Sequence, residues 1–152
     1  MDQISKEKRS YLMSRIKGKD TKPEVYLRKL LYHAGYRYRL HRKDLPGRPD
    51  IWLGRYNTAA FVHGCFWHSH GCGKGNFPKS NLGYWGPKLE ANKSRDARNI
   101  SALKEKGIRI IVVWECAIDR MRKDEAYRAE ALDTIREFLD GSGDYLEIGG
   151  RS

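Results

Sequence analysis

The chain has 152 residues, enough for one domain with a sizeable core that needs no disulfides. Lys and Arg outnumber Asp and Glu 30 to 19, a formal net charge of +11, and that excess points to a polyanionic partner through counterion release. No long apolar or basic amphipathic segment speaks for a membrane, and Met1-Asp-Gln-Ile opens no export signal. The three Cys, two of them close to His, read as metal ligands in a cytoplasmic setting rather than as disulfides.

Residues 1–20 are basic and polar, with Lys6, Lys8, Arg9, Arg15, Lys17 and Lys19, and form an N-terminal arm. A charge run of this kind is either a solvated leader or an arm that embraces a nucleic acid. Thr21-Lys-Pro-Glu24 then reads as a capping box, with Pro23 tolerated in the first turn. Leu27, Leu30, Leu31 and Ala34 follow on one helical face, and Gly35 supplies the left-handed stop. Glu24 is thus a cap by its spacing, and a carboxylate at a helix start can also face a metal site.

Tyr36 to His41 is short, mixed and suited to an edge strand, and Leu45-Pro-Gly-Arg-Pro-Asp50 is a turn. The turn delivers Asp50 at the head of a strand, Ile51-Trp-Leu53. Gly54 to Asn57 turns the chain, and Thr58 to His63 is a second, nearly continuously apolar strand. A Pro-Asp pair opening a strand, with another strand close behind, suits a hard cation, although the pair is also ordinary turn chemistry.

Phe61-Val-His-Gly-Cys-Phe-Trp-His-Ser-His-Gly-Cys72 is the densest stretch in chemical terms. Cys65, His68, His70 and Cys72 are spaced tightly enough to converge on one ion, and the remote Cys116 makes a fifth candidate. A structural zinc takes four ligands, so one is left over, and a spare His beside such a site is a ready general base. Spacing does not say which. Hydrolysis of a phosphodiester needs a carboxylate to anchor Mg2+, a base for water and a cation near the leaving oxygen. Asp50 is the leading anchor, and a His of this stretch the leading base.

A loop rich in Gly, Asn, Pro and Ser runs to about Gly83, and Tyr84-Trp85 stands just before Pro87. The spacing predicts a helix from Lys88 to Lys106, stopped by Gly107. Its stripe of Leu89, Asn92, Lys93, Asp96, Ile100 and Leu103 is polar in the middle, a pattern for lining a site. Ile108 to Trp114 is a β-branched core strand with Glu115-Cys116 at its end. A final helix carries Leu132, Ile135 and Leu139 on one face, and the Gly-rich residues 141–152 read as a loose tail. With the domain spanning 21–140, the order of elements predicts an α/β fold, a mixed sheet flanked by helices.

Thr21-Lys-Pro-Glu24, Leu45-Pro-Gly-Arg-Pro-Asp50, the Phe61–Cys72 stretch, Tyr84-Trp85, Arg95-Asp96 and Val113-Trp-Glu-Cys116 together resemble the very-short-patch-repair (Vsr) DNA mismatch endonucleases. The resemblance runs from about Ser10 to Cys116. It implies a restriction-endonuclease-like core with a structural zinc site. It also implies an activity: nicking one strand of duplex DNA 5′ of the T in a T·G mismatch left by deaminated 5-methylcytosine. By matching positions, Asp50 would bind Mg2+, bridging two ions with the backbone near Val62. His68 would activate water with support from Asp96, and His63 and Glu24 would complete the site. Cys65, His70, Cys72 and Cys116 would then hold the zinc, and Phe66, Trp67 and Trp85 would wedge into the duplex. The family is linked to mismatch-repair proteins, and a single asymmetric mismatch asks only for a monomer.

A wedge of this kind has its own physical logic. A T·G wobble stacks less well than a matched pair, so opening it costs less than the few kcal/mol usual for a base step. Each aromatic inserted there regains about 1–3 kcal/mol of stacking. The chain departs from common restriction nucleases in one respect: its second strand, Ala60-Phe-Val-His63, lacks their acidic residue and lysine. Activation of water by a His takes the place of that scheme. The alternative is a zinc-stabilised DNA-binding module without catalysis, which leaves Asp50, His68 and Asp96 with no role.

Overall fold

The structure, a computed structural model, describes residues 21–64 and 82–149, and the side chains only outside 82–86. Five strands form one mixed sheet in chain order: β1 (Arg39–Leu40), β2 (Ile51–Leu53), β3 (Thr58–His63), β4 (Arg109–Trp114) and β5 (Tyr145–Ile148). The first three are antiparallel neighbours, whereas β3, β4 and β5 run parallel. Parallel neighbours need crossovers, and helices supply them. Between β3 and β4 lies α2 (Leu82–Glu105); between β4 and β5 lie α3 (Glu115–Lys123) and α4 (Glu125–Asp140). The opening helix, α1, spans Lys22–His33.

Alternation along β3 and β4 divides the core in two. Ala60, Ile111 and Val113 face one side, where Leu27 and Leu31 of α1, Ile118 and Met121 of α3, and Ile135 and Leu139 of α4 bury their apolar stripes. Ala59, Phe61, Ile110 and Val112 face the other, where Leu103 of α2 packs. The sheet is therefore covered on both faces. This explains why the interiors of β3 (Ala59–Val62) and β4 (Ile110–Val113) are continuously apolar instead of alternating with polar residues. Among the described residues, no helix is long and apolar enough to cross a membrane.

The predicted mixed α/β sheet is present, and β2, the turn at Gly54–Tyr56 and β3 occupy their predicted positions. Three differences are instructive. First, α2 begins at Leu82, six residues before Lys88, with Pro87 inside it. Proline favours the first turn of a helix, which is why a start just beyond it was the natural expectation. Second, Glu115 and Cys116 open a separate helix, α3, instead of ending a strand. Its N-cap residue, Trp114, makes no side-chain capping bond, so the sequence carries no start signal. Asp124 then caps α4 by accepting from the Tyr127 N–H at 3.0 Å.

Third, the expected loose tail over 141–152 is corrected by β5, which pairs along β4 from Tyr145 opposite Ile110 to Ile148 opposite Val113. Glu147 accepts from the Trp114 indole N–H at 2.6 Å, and Ile148 is buried. Arg109 draws the α4–β5 connection inward by donating to the carbonyls of Phe138 and Gly143. A short strand set between glycines has little hydrophobic signal of its own; its partners make it a strand. The basic arm at 1–20 lies outside the described residues.

Candidate active site

The site is built where α1, β2 and β3 meet. Thr21 caps α1 in extended conformation and accepts from the Glu24 N–H at 3.4 Å, while Glu24 Oε2 accepts from the Thr21 N–H at 2.8 Å. The capping box therefore engages one carboxylate oxygen. The other, Oε1, is buried and receives no hydrogen bond from a permanent donor, on a side chain only 2 % exposed. An orphaned carboxylate oxygen at this depth costs at least a few kcal/mol unless a proton or a cation meets it.

Asp50 shares a hydrogen bond with the Glu24 carboxylate. The turn Leu45–Asp50 carries it to the head of β2, and its Oδ2 accepts from the Val62 N–H of β3 at 2.7 Å. Burial, the hydrogen bond shared with Glu24 and the Glu24 charge push the Asp50 carboxyl up to about 8, against the Val62 N–H and Arg28, which pull it down. At neutral pH Asp50 is thus mainly protonated and donates to Glu24. Two carboxylates held this close cannot both ionise unless a positive charge joins them. Glu24, Asp50 and His41 present ligand atoms within 4.8 Å of one another, a group of the right size and chemistry for a divalent cation.

Asp50 opens into a cleft of about 420 Å³ between the 45–50 turn, the end of β3 and the middle of α2. His63 lines it from β3, and Asn92, Arg95, Asp96 and Asn99 line it from α2; Arg48 stands at the turn side. His63 is buried, with its ring edge-on to Trp114 at 5.2 Å and tilted against Phe61 at 5.7 Å. The turn itself fits tightly. Gly47 has φ +78°, and a methyl group there would lie 3.1 Å from Asn99 Cβ and from the Phe61 ring. Arg48 follows with φ +48°, a left-handed conformation that non-glycine residues seldom adopt.

Of the residues singled out in the sequence, the fold brings Asp50, Val62, His63 and Asp96 to one cleft and sets Glu24 beside Asp50. Within the predicted stripe on α2, Asn92, Asp96 and Ile100 line the cleft, Leu89 and Leu103 are core, and Lys93 is exposed. Cys116 lies in the first turn of α3, half-buried against the cluster of Phe61 and Trp114. The register that sets His63 beside Trp114 ends β3 two residues before Cys65 and β4 two residues before Cys116. Cys65, Phe66, Trp67, His68, His70 and Cys72 lie outside the described residues, as does the side chain of Trp85.

Sequence reasoning missed His41, Arg48 and Asn99. Asn99 lies seven positions after Asn92, two turns along the same helix, and that step was the available signal. His41 had none, because its nearness to Asp50 follows only from the antiparallel pairing of Leu40 with Ile51.

A family model described as DNA mismatch endonuclease Vsr matches residues 1–74. The type II nicking enzyme V.XorIIP of Xanthomonas oryzae pv. oryzae is 51 % identical over 132 residues, covering 87 % of this chain and 97 % of that protein. The DNA mismatch endonuclease Vsr of Escherichia coli is 38 % identical over 148 residues, covering 97 % and 93 %. Among solved structures, the catalytic domain of the homing endonuclease I-Bth0305I aligns with a TM-score of 0.47 at 20 % identity, over 78 % of this chain and 94 % of that one.

Proposed function

Because the chain belongs to the Vsr family of DNA mismatch endonucleases, we propose that it nicks duplex DNA on the 5′ side of a T mispaired with G and so initiates very short patch repair. The observation that carries the reading is Asp50, which lines a cleft with His63 and Asp96 and is paired with the buried carboxylate of Glu24. A module that only bound DNA would gain nothing from two carboxylates held against their own repulsion. A hydrolase gains a cation site.

Asp50, Glu24 and the backbone at Val62 fit Mg2+, since their donors are hard oxygens and Glu24 Oε1 lacks a permanent donor. When bound, the metal supplies positive charge at the scissile phosphate. The residues of the chain do the rest. His68 takes a proton from the attacking water as its oxygen bonds to phosphorus and the bond to the leaving oxygen breaks, that oxygen taking a proton from solvent; Asp96 holds the imidazole in the tautomer that can accept. His63 donates toward the phosphate. Arg48 and Arg95, at the cleft, bind neighbouring phosphates of the cut strand.

In this reading the core is of the restriction-endonuclease type. Zinc held by Cys65, His70, Cys72 and Cys116 fixes the segment after β3, so that Phe66, Trp67 and Trp85 can enter the duplex at the weakened pair. Recognition is then a difference in deformation cost as well as in base contacts.

The test uses end-labelled duplexes with Mg2+, one with a T·G mismatch in a CT(A/T)GG context and one fully paired. A single cut 5′ of the mispaired T, absent from the paired duplex, is the expected result. His68→Ala and Asp50→Ala should each lower the rate by about 10³-fold or more and leave mismatch binding largely intact. Equal cutting of both duplexes would sink the mismatch reading, and binding without cutting would transfer the case to the non-catalytic module.

A further inference from the structure

His41 lies just beyond β1, at the end of the β1–β2 ladder, where its N–H donates to the Asp50 carbonyl at 3.3 Å. Its backbone is left-handed, φ +51°. Few non-glycine residues adopt that conformation, although His is enriched among those that do, and a strained backbone of this kind is kept where its side chain has a task. What the conformation achieves here is placement. An imidazole nitrogen comes within 4.8 Å of a carboxylate oxygen of Glu24 and of Asp50.

We propose that His41 is the third protein ligand of the cation held by Glu24 and Asp50, and that this nitrogen makes the site prefer first-row transition ions to Mg2+. The proposal rests on the reading of Asp50 as a cation ligand. Three arguments support it.

The dimensions fit. Opposite ligands of an octahedral ion with bonds of about 2.1 Å stand about 4.2 Å apart. Adjacent ligands stand about 3.0 Å apart, so donors that lie within 4.8 Å of one another reach this geometry by side-chain shifts of about 1–2 Å. The site also has an unmet need, because Oε1 of Glu24, a residue of the cluster, is buried with no hydrogen-bond partner. Finally, the imidazole presents a lone pair. Arg28 Nη2 lies 3.2 Å from His41 Nε2, and a guanidinium only donates, so Nε2 accepts. A ring that accepts from one cationic group has a lone pair of the kind that ligation of a metal ion needs.

The donor chemistry then decides which ion is favoured. Two carboxylates alone suit Mg2+, Ca2+ and Mn2+ about equally, whereas an imidazole adds affinity along the transition series and little for Mg2+.

The experiment is titration of the full chain with Mn2+ and with Mg2+, for the parent and for His41→Asn, His41→Gln and Asp50→Asn. His41→Asn is the informative substitution, since Asn tolerates the left-handed backbone. The parent should bind Mn2+ about tenfold tighter than Mg2+, and His41→Asn should lose that margin while Mg2+ affinity changes by less than about threefold. Pulsed electron spin resonance on the Mn2+-loaded parent should show imidazole nitrogen coupling that His41→Asn removes, and this readout does not depend on activity. Unchanged Mn2+ affinity and unchanged nitrogen coupling in both His41 variants would overturn the proposal, provided that Asp50→Asn abolishes binding. If Asp50→Asn also binds both ions as the parent does, the underlying cation site is wrong and His41 falls with it.

Discussion

Replacing Asp50 by asparagine should stabilise the metal-free protein, and increasingly so as the pH rises. The Asp50 carboxyl titrates at about 8 in the folded chain, against 3.8 for an ordinary aspartate, with burial as the leading cause. Between those two values the folded state holds a proton that the unfolded state has released. Stability is therefore greatest below pH 3.8 and falls through this window, levelling off above about pH 8. At about 1.4 kcal/mol per unit, the interval from pH 5 to pH 8 costs the native protein about 4 kcal/mol through this group alone. For a chain of this size that corresponds to about 10 °C in Tm.

The amide introduced by Asp50→Asn would not titrate. It can still accept from the Val62 N–H, and its NH2 group can donate to Glu24, so the geometry of the pair survives. Thermal melts of parent and Asp50→Asn in chelator, from pH 5 to pH 9, should show the gap in Tm opening toward alkaline pH by about 10 °C. Added Mg2+ should narrow the gap at pH 8 by raising the parent's Tm alone, since a cation takes the place of the shared proton. Melting curves that stay parallel over the whole range, with or without metal, would refute the assignment of a shared proton to this pair.

Gly47→Ala should cost about 1–3 kcal/mol, from the left-handed backbone and the contacts with Asn99 and Phe61. It should also slow nicking by shifting Asp50, and a Tm within about 1 °C of the parent with full activity would contradict the tight fit of the turn. Ile148→Ala should cost about 2–4 kcal/mol in denaturant titration if β5 is integral to the sheet, whereas an unchanged midpoint would return 141–152 to the status of a tail. Cys116→Ala should lower zinc content below one equivalent and Tm by about 10 °C or more. Full zinc retention with an unaltered melt would remove Cys116 from the ligand set.

The central layer of the fold was readable because burial on both faces leaves a strong mark: Thr58–His63 and Arg109–Trp114 are apolar runs bounded by turns. The capping box announced α1 because its chemistry is local, Thr21 answering Glu24 three residues on. Asp50 was legible as a candidate from its place after two prolines and before a strand. Elements whose reason to exist lies elsewhere in the chain were not. α3 has no capping side chain, and β5 is a strand only because β4 offers it an edge. His41 meets Asp50 through strand pairing, and no spacing rule connects position 41 to Glu24. The protonation of Asp50 was equally hidden, since it arises from the depth at which two carboxylates meet.

Glu24 divides its carboxylate between two employments, with Oε2 closing the first turn of α1 and Oε1, on a residue that neighbours Asp50 and His41, buried without a hydrogen-bond partner. Such a position tolerates almost no change of length. A side chain one methylene shorter cannot span from the helix start to Asp50 while still reaching the Thr21 N–H, and an amide in its place satisfies the cap but brings a donor to the cluster and no charge. Glu24→Gln therefore separates the two employments, keeping the cap while removing the charge, whereas Glu24→Asp loses both. A library screened for solubility alone would accept glutamine at this position, and only a screen for cleavage would hold it to glutamate.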